Sequence, residues 1–250
     1  MTMTTANETA NGNGVAMVFG GSRGIGAAIA RRLAREGYDV ALTYVSRPDD
    51  AAAVAADIEA LGRRALAIRA DSADAAALQQ AVEQATERFG PLDLAVVNAG
   101  VLALGTLAEL RLEDLDRMLA VNVRGVFVAI QASAARMKDG GRIITIGSNT
   151  AVRTGTPIGA AYAMTKAAVA ALVKGVALDL APRRITVNNV QPGPTETDMT
   201  ADHHALILPM VPLRRLAEPD EVAGMVAYLA SAEAGFVTGA SLTIDGGFVL

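Results

Sequence analysis

A chain of 250 residues, 52% hydrophobic and 4% aromatic, can bury one large core and fits one α/β domain better than two small ones. Twenty-six acidic against 22 basic side chains leave a net charge of −4, which argues against nucleic acid or an anionic membrane surface as the main partner. Zero cysteines exclude disulfides and thiolate metal sites and fit a reducing cytoplasm, the expected location.

In chain order, residues 1–13 are polar, without an apolar stretch or a basic start, and read as a flexible leader, not a signal peptide. One domain is expected over 14–250. Within it, short β-branched runs predict strands at 15–20, 38–45, 64–69, 92–97, 142–147, 184–190 and 241–244. Alanine-rich stretches between them predict helices near 24–36, 49–61, 74–89, 112–138, 160–181 and 219–231. Pro48 and Pro219 open two of these helices, and Gly37, Gly62 and Gly90 follow the ends of three. The alternation implies a seven-stranded parallel sheet with helices on both faces, joined by right-handed crossovers. The longest apolar run, 167–182, is broken by Lys174 and Asp179, so no membrane span is expected.

The run VAMVFG-GSRGIG passes from the first strand straight into a helix, with Gly20, Gly24 and Gly26 spaced G-x-x-x-G-x-G. Such glycines allow a tight turn, a close backbone approach to a diphosphate and close helix–strand packing. Ser22, Arg23 and Ile25 complete this nucleotide loop, and the helix N-terminus offers free N–H groups to an anion. No acidic residue stands at 42–48, at the end of the second strand, where one would accept a ribose 2′-hydroxyl. Ser46 and Arg47 stand there instead and, with Arg23, suit a 2′-phosphate, so NADP(H) is favoured over NAD(H), with Asp49 and Asp50 weighing slightly against. Asp71, followed by Ser72, is placed either to contact the adenine or to cap a helix.

Tyr162 and Lys166 are four residues apart in YAMTK, on one face of a helix. An ammonium beside a phenol favours the phenolate, which would bring the Tyr162 pKa down from about 10 towards the working range. Ser148 stands upstream, either in the site or capping a turn, and Asn122 earlier still, either in the site or bonding local backbone.

Together these segments resemble the classical short-chain dehydrogenase/reductase family: GGSRGIG at 20–26, NAG at 98–100, VNVRGVF around Asn122, IGS at 146–148, YAMTK at 162–166, QPGPTETDM at 191–199 and VTGASLTIDGG at 237–247. Within the family the chain looks most like bacterial reductases related to 3-oxoacyl-carrier-protein reductase. The resemblance implies a single doubly wound Rossmann domain. It further implies Tyr162 as proton donor, Lys166 as the group binding the nicotinamide ribose and lowering the Tyr162 pKa, and Ser148 as hydrogen-bond partner of the substrate oxygen. Asn122 would hold a water linking Lys166 to solvent. Asn98, Ala99 and Gly100 would line the cofactor channel, and Thr195, after Pro192 and Gly193, would bind the carboxamide. Homotetramers through 112–138, 160–181 and the C-terminal segment are implied as well, with alanine-rich faces fit for close packing.

Ser148 and Tyr162 are fourteen positions apart, one more than the common family spacing, and counting back by the usual offset lands on Asn149. Ser148 is retained because IGS ends the strand. His203-His204 reads as a loop pair without thiols or ordered carboxylates, so no metal is expected. The long apolar segment 196–213 reads as a substrate lid or an oligomer contact. Val101, Leu102, Ile158 and Met199 are candidate pocket residues, with Arg153 the one basic group among them. The expected activity is reduction of a ketone by NADPH. A nucleotide-binding regulatory role and a secondary-alcohol dehydrogenase working in the oxidative direction are the alternatives.

Overall fold

Val15, Met17 and Phe19 of strand β1 (Val15–Phe19) face one side of a sheet, while Ala16 and Val18 face the other. Successive strand side chains point to opposite faces, so an all-apolar strand needs a partner layer on each. Residues 14–155 and 157–250 are described in the computed structural model, and the leader expected at 1–13 lies outside them. The further strands are β2 (Asp39–Tyr44), β3 (Ala65–Arg69), β4 (Leu92–Val97), β5 (Met137–Ile146), β6 (Thr186–Pro192) and β7 (Ser241–Ile244). The sheet runs β3-β2-β1-β4-β5-β6-β7 with every pair parallel.

Helices α1 (Gly24–Arg35), α2 (Pro48–Ala60) and α8 (Pro219–Ala230) cover one face, burying Ile29, Leu33, Ile58 and Val226. On the other face lie α3 (Ala75–Phe89), α5 (Val126–Ala135) and α6 (Ala160–Leu180), contributing Leu78, Val82, Ile130 and Val173. The local start and stop signals hold. Pro48 and Pro219 each stand in the first turn, and Gly37, Gly62 and Gly90 take φ of 95°, 74° and 98°. Strand order reverses between β1 and β4, and the crevice beyond their carboxyl ends is where such sheets bind ligands.

The single helix expected at 112–138 is three elements. α4 (Leu112–Leu119) runs into a π-helical turn, Ala120–Gly125, which runs into α5. Residues 137–138 already belong to β5, which begins at Met137 opposite Leu92 and shifts register before Arg142. The π turn lets the helix pass over the loop after β3 at close range: a Cβ on Gly125 would run into the Ser72 carbonyl oxygen. Apolar periodicity does not reveal such an insertion. The segment 196–213 is a series of short turns, with 3₁₀ turns at Ala201–His203 and Leu208–Met210 flanking α7 (His204–Ile207).

Contrary to the sequence expectation, Leu112–Ala135 and Ala160–Arg183 are each long and apolar enough to cross a membrane by length and composition. Their buried apolar residues pack against the sheet layer.

Candidate active site

The motif residues converge because each follows the carboxyl end of a strand: Gly20–Gly26 after β1, Asn98–Gly100 after β4, Ser148 after β5 and Gly193–Thr195 after β6. In the loop after β1 the backbone is packed too closely for side chains. A Cβ on Gly26 would run into the Gly20 carbonyl oxygen and stand 2.5 Å from Asn98 Nδ2, and one on Gly20 would stand 2.9 Å from Ala99 Cα. The loop is held from two sides, Gly20 N–H donating to Thr43 Oγ1 at 2.9 Å and Asn98 Nδ2 donating to the Gly20 oxygen at 2.7 Å. Helix α1 begins behind it with no side-chain cap and no acidic residue in its first turn. This N-terminus, uncapped and without an acidic neighbour, and a glycine loop that offers only main chain, fit a diphosphate. Ser22 is half-buried beside them, and Ile25 packs into the core beneath.

At the distal end, Ser46 and Arg47 are exposed after β2. Arg47 Nη1 and Arg23 Nη1 both reach Asp198 Oδ2, at 3.3 and 2.7 Å. Asp71 does not cap α3: that task falls to Asp74, whose carboxylate accepts from Ala76 and Ala77 N–H at 2.9 and 3.1 Å. Asp71 instead accepts from its own loop at Ala73 N–H and pairs with Arg117 at 3.1 Å, beside the buried Ser72. Arg117 carries no motif of its own, and Asp198, though it falls within QPGPTETDM, was not singled out by it; long-range folding brings both here.

Lys166 is buried, and its Nζ donates to the Ile146 oxygen at 3.0 Å while lying 5.7 Å from the Tyr162 ring centroid. Burial pulls the Lys166 ammonium down to about 8. Burial pushes the Tyr162 phenol up to about 12, with the Ser148 hydroxyl facing it working the other way. This reverses the expectation from the Tyr–Lys spacing. Both groups are drawn away from water, so each favours its neutral form, and the ammonium stands over the ring face. Tyr162 therefore remains a protonated phenol, the form that can donate a proton.

Ser148 is the side chain turned to Tyr162; it also caps the 3₁₀ turn Asn149–Ala151, its Oγ accepting from Thr150 N–H at 3.2 Å. Asn149, the alternative by counting, points away and donates to Asp245 at 3.3 Å. Asn122, fully buried in the π turn, accepts from Val101 N–H at 2.9 Å and donates to the Val101 oxygen at 2.8 Å and Thr165 Oγ1 at 3.2 Å. It bonds the backbone of a distant loop, not its own helix. Gly100 fits between two of these groups, its missing Cβ standing 3.4 Å from Lys166 Nζ and 3.5 Å from Asn122 Oδ1.

Pro192 closes β6, Gly193 N–H donates to the Ile244 oxygen at 2.9 Å, and the buried Thr195 donates to the Gly193 oxygen at 3.0 Å. The pocket candidates Val101 and Leu102 are partly buried, whereas Ile158 and Met199 are exposed. Arg153 donates to the Leu250 main-chain oxygen at 3.0 Å and so is tied to the C-terminal segment. His204 faces Glu196 at 3.1 Å, so the histidine pair does have a carboxylate neighbour. No group of three metal-ligating side chains occurs among the described residues.

A family profile described as enoyl-(acyl carrier protein) reductase matches residues 20–249. A short-chain dehydrogenase/reductase from Serratia marcescens superposes with a TM-score of 0.93 at 57% identity, covering 95% of this chain and 98% of that one. A short-chain dehydrogenase from Burkholderia cenocepacia in complex with NADP superposes at 0.92 with 48% identity, covering 94% and 97%. The cyclic-di-GMP-binding biofilm dispersal mediator protein of Escherichia coli is 41% identical over 235 residues, 93% of this chain and 95% of that protein. The chain belongs to the short-chain dehydrogenase/reductase family and is an oxidoreductase of that family.

Proposed function

We propose that the protein reduces the ketone carbonyl of a small, mostly apolar molecule to a secondary alcohol at the expense of NADPH. The observation that carries this reading is a half-buried, protonated Tyr162 with the buried Ser148 and Lys166 around it, in the same crevice as the glycine loop. Gly20–Gly26, Asn98–Gly100, Asp71, Ser72, Pro192, Gly193 and Thr195 would hold the dinucleotide, with Arg23, Ser46 and Arg47 at its 2′-phosphate. The bound cofactor would supply the hydride. Tyr162 holds the proton and gives it to the substrate oxygen as that oxygen gains charge. Ser148 donates a hydrogen bond to the same oxygen and stabilises its developing charge. Lys166 would bind the cofactor's ribose hydroxyls, and its charge favours the phenolate left after proton transfer. Asn122 holds Val101 and the Tyr162 helix in register, and the second lone pair of its Oδ1 is available to a water through which a proton from solvent returns, by way of Lys166, to the Tyr162 phenolate. The segment 196–213 would close over the substrate against Val101, Leu102 and Ile158, in one domain running from 14 to 250.

The same residues run backwards in a secondary-alcohol dehydrogenase, with Tyr162 as base. The relative described as binding cyclic-di-GMP favours a second reading, a nucleotide-binding regulator with little catalysis. We place the protein in the cytoplasm as a homotetramer, without nucleic-acid or membrane partners. Support for assembly is a mostly apolar trench of about 530 Å³ on the outer faces of α4, the π turn, α5 and α6, lined by Leu119, Val123, Phe127, Ala168 and Leu172 with Arg124 beside them.

The test is NADPH oxidation with a panel of β-ketoesters and cyclic ketones. Turnover should fall by about 10²–10⁴-fold in Tyr162→Phe while NADPH binding persists. Undiminished ketone-dependent turnover in that variant would refute the mechanism, and absence of turnover with any ketone or alcohol would favour the regulator.

A further inference from the structure

Arg23 and Arg47 are joined by a carboxylate that belongs to neither of their elements. Asp198 follows β6, 175 positions from Arg23 in sequence, and its Oδ2 takes Arg23 Nη1 at 2.7 Å and Arg47 Nη1 at 3.3 Å. Asp50 is the other carboxylate on Arg47, at 3.4 Å. The neighbouring Thr197 lies directly on the glycine loop, its Cγ2 standing 3.2 Å from where a Gly24 Cβ would be. The start of the 196–213 segment is therefore seated across the loop, with one anionic oxygen between the two arginines.

We propose that Asp198 is an internal competitor for the cofactor's 2′-phosphate, and that it couples phosphate binding to release of the 196–213 segment. The proposal rests on the NADP(H) reading given above. Two arginines arranged around one carboxylate oxygen make a site for a small anion. The three side chains are 50–59% exposed, so the ion pairs are weak and exchangeable. A phosphate, with about −1.5 to −2 charges and three acceptor oxygens, can replace the single carboxylate. A neutral 2′-hydroxyl cannot. NADPH would then bind and free Asp198, whereas NADH would leave the clasp closed. By linkage, whatever factor the closed clasp takes from phosphate affinity, bound phosphate takes from the clasp. Asp198 thus weakens NADPH somewhat and in return makes the segment's freedom depend on which cofactor is present.

The experiment uses the full chain. NADPH and NADH are titrated by nicotinamide fluorescence into the native protein, Asp198→Asn and Asp198→Glu. Hydrogen exchange over 196–204 is followed with adenosine 2′,5′-bisphosphate and with 5′-AMP. Asp198→Asn should tighten NADPH binding by about 3- to 10-fold, as expected for losing two exposed ion pairs, and leave NADH unchanged. Asp198→Glu should stay near native. Exchange over 196–204 should rise with the bisphosphate and not with 5′-AMP, and the bisphosphate should add nothing in Asp198→Asn. Unchanged NADPH affinity in Asp198→Asn overturns the proposal, as does equal tightening of both cofactors, which would report general loosening. Weaker NADH binding in that variant also overturns it, since the carboxylate would then be serving the ribose hydroxyl. Equal native affinity for NADPH and NADH overturns the cofactor reading itself, and this proposal with it.

Discussion

Tyr162 and Lys166 make opposite demands on pH because burial suppresses a different charge in each. Lys166 titrates near 8 in the fold against 10.5 for an ordinary lysine. Between those values the unfolded chain carries the proton and the native protein does not, so this group's contribution to stability rises with pH across the window and is lost as pH falls through 8. Tyr162 is raised from 10.0 to about 12, so its contribution is present below 10 and is lost as pH rises towards 12. Urea unfolding of the native protein and of Lys166→Met, compared from pH 7 to 10.5, should show the native protein gaining on the variant by roughly 3 kcal/mol, the worth of its pKa displacement. A flat difference would mean that Lys166 titrates as an exposed amine. The sequence shows that a phenol and an ammonium share a helix face. It does not show that the face is buried, and burial reverses the direction of the Tyr162 shift.

The π turn Ala120–Gly125 is the element on which the site depends most. It places Asn122 so that one side chain satisfies both the N–H and the carbonyl of Val101 and reaches Thr165 on α6. Asn122→Ala should lower the unfolding free energy by about 1–3 kcal/mol for each Val101 group left without a partner. Urea titration measures it, and a loss below about 0.5 kcal/mol would mean that the turn stands without its side chain. The Asn in VNVRGVF was legible as a family motif, but as part of one long helix. Helical periodicity is blind to one inserted residue, and the reason for the insertion, close passage over Ser72, lies some fifty residues away.

At the scale of the molecule, the faces of α4, α5 and α6 turned away from the sheet leave Phe127 48% exposed and Leu119 37% exposed in one trench. An apolar surface of this kind is expected at a contact between copies. Phe127→Asp should shift the assembly to a smaller oligomer in light scattering while the far-ultraviolet circular dichroism is kept. An unchanged mass would remove this face from the interface. Seven parallel strands with helices on both faces were, by contrast, implicit in the sequence, because strand–helix alternation and right-handed crossovers leave few architectures open, while the strand order came from the fold.

The sequence by itself determined the seven strands in parallel, the helix starts at Pro48 and Pro219, and the chemical inventory of the crevice. These follow from local signals: apolar period, fixed proline φ, glycine at left-handed positions and side chains at strand ends. Tertiary structure decided that Asp74 and not Asp71 caps α3, that Arg117 holds Asp71, and that Ser148 faces Tyr162 while Asn149 turns to Asp245. It also decided that Asp198 lies between Arg23 and Arg47. The physical reason is the same in each case. Hydrogen bonds and ion pairs depend on distances of about 3 Å, and spacing along the chain fixes those only within a helix turn or a tight loop. Between separate elements, the packing of the whole domain sets them.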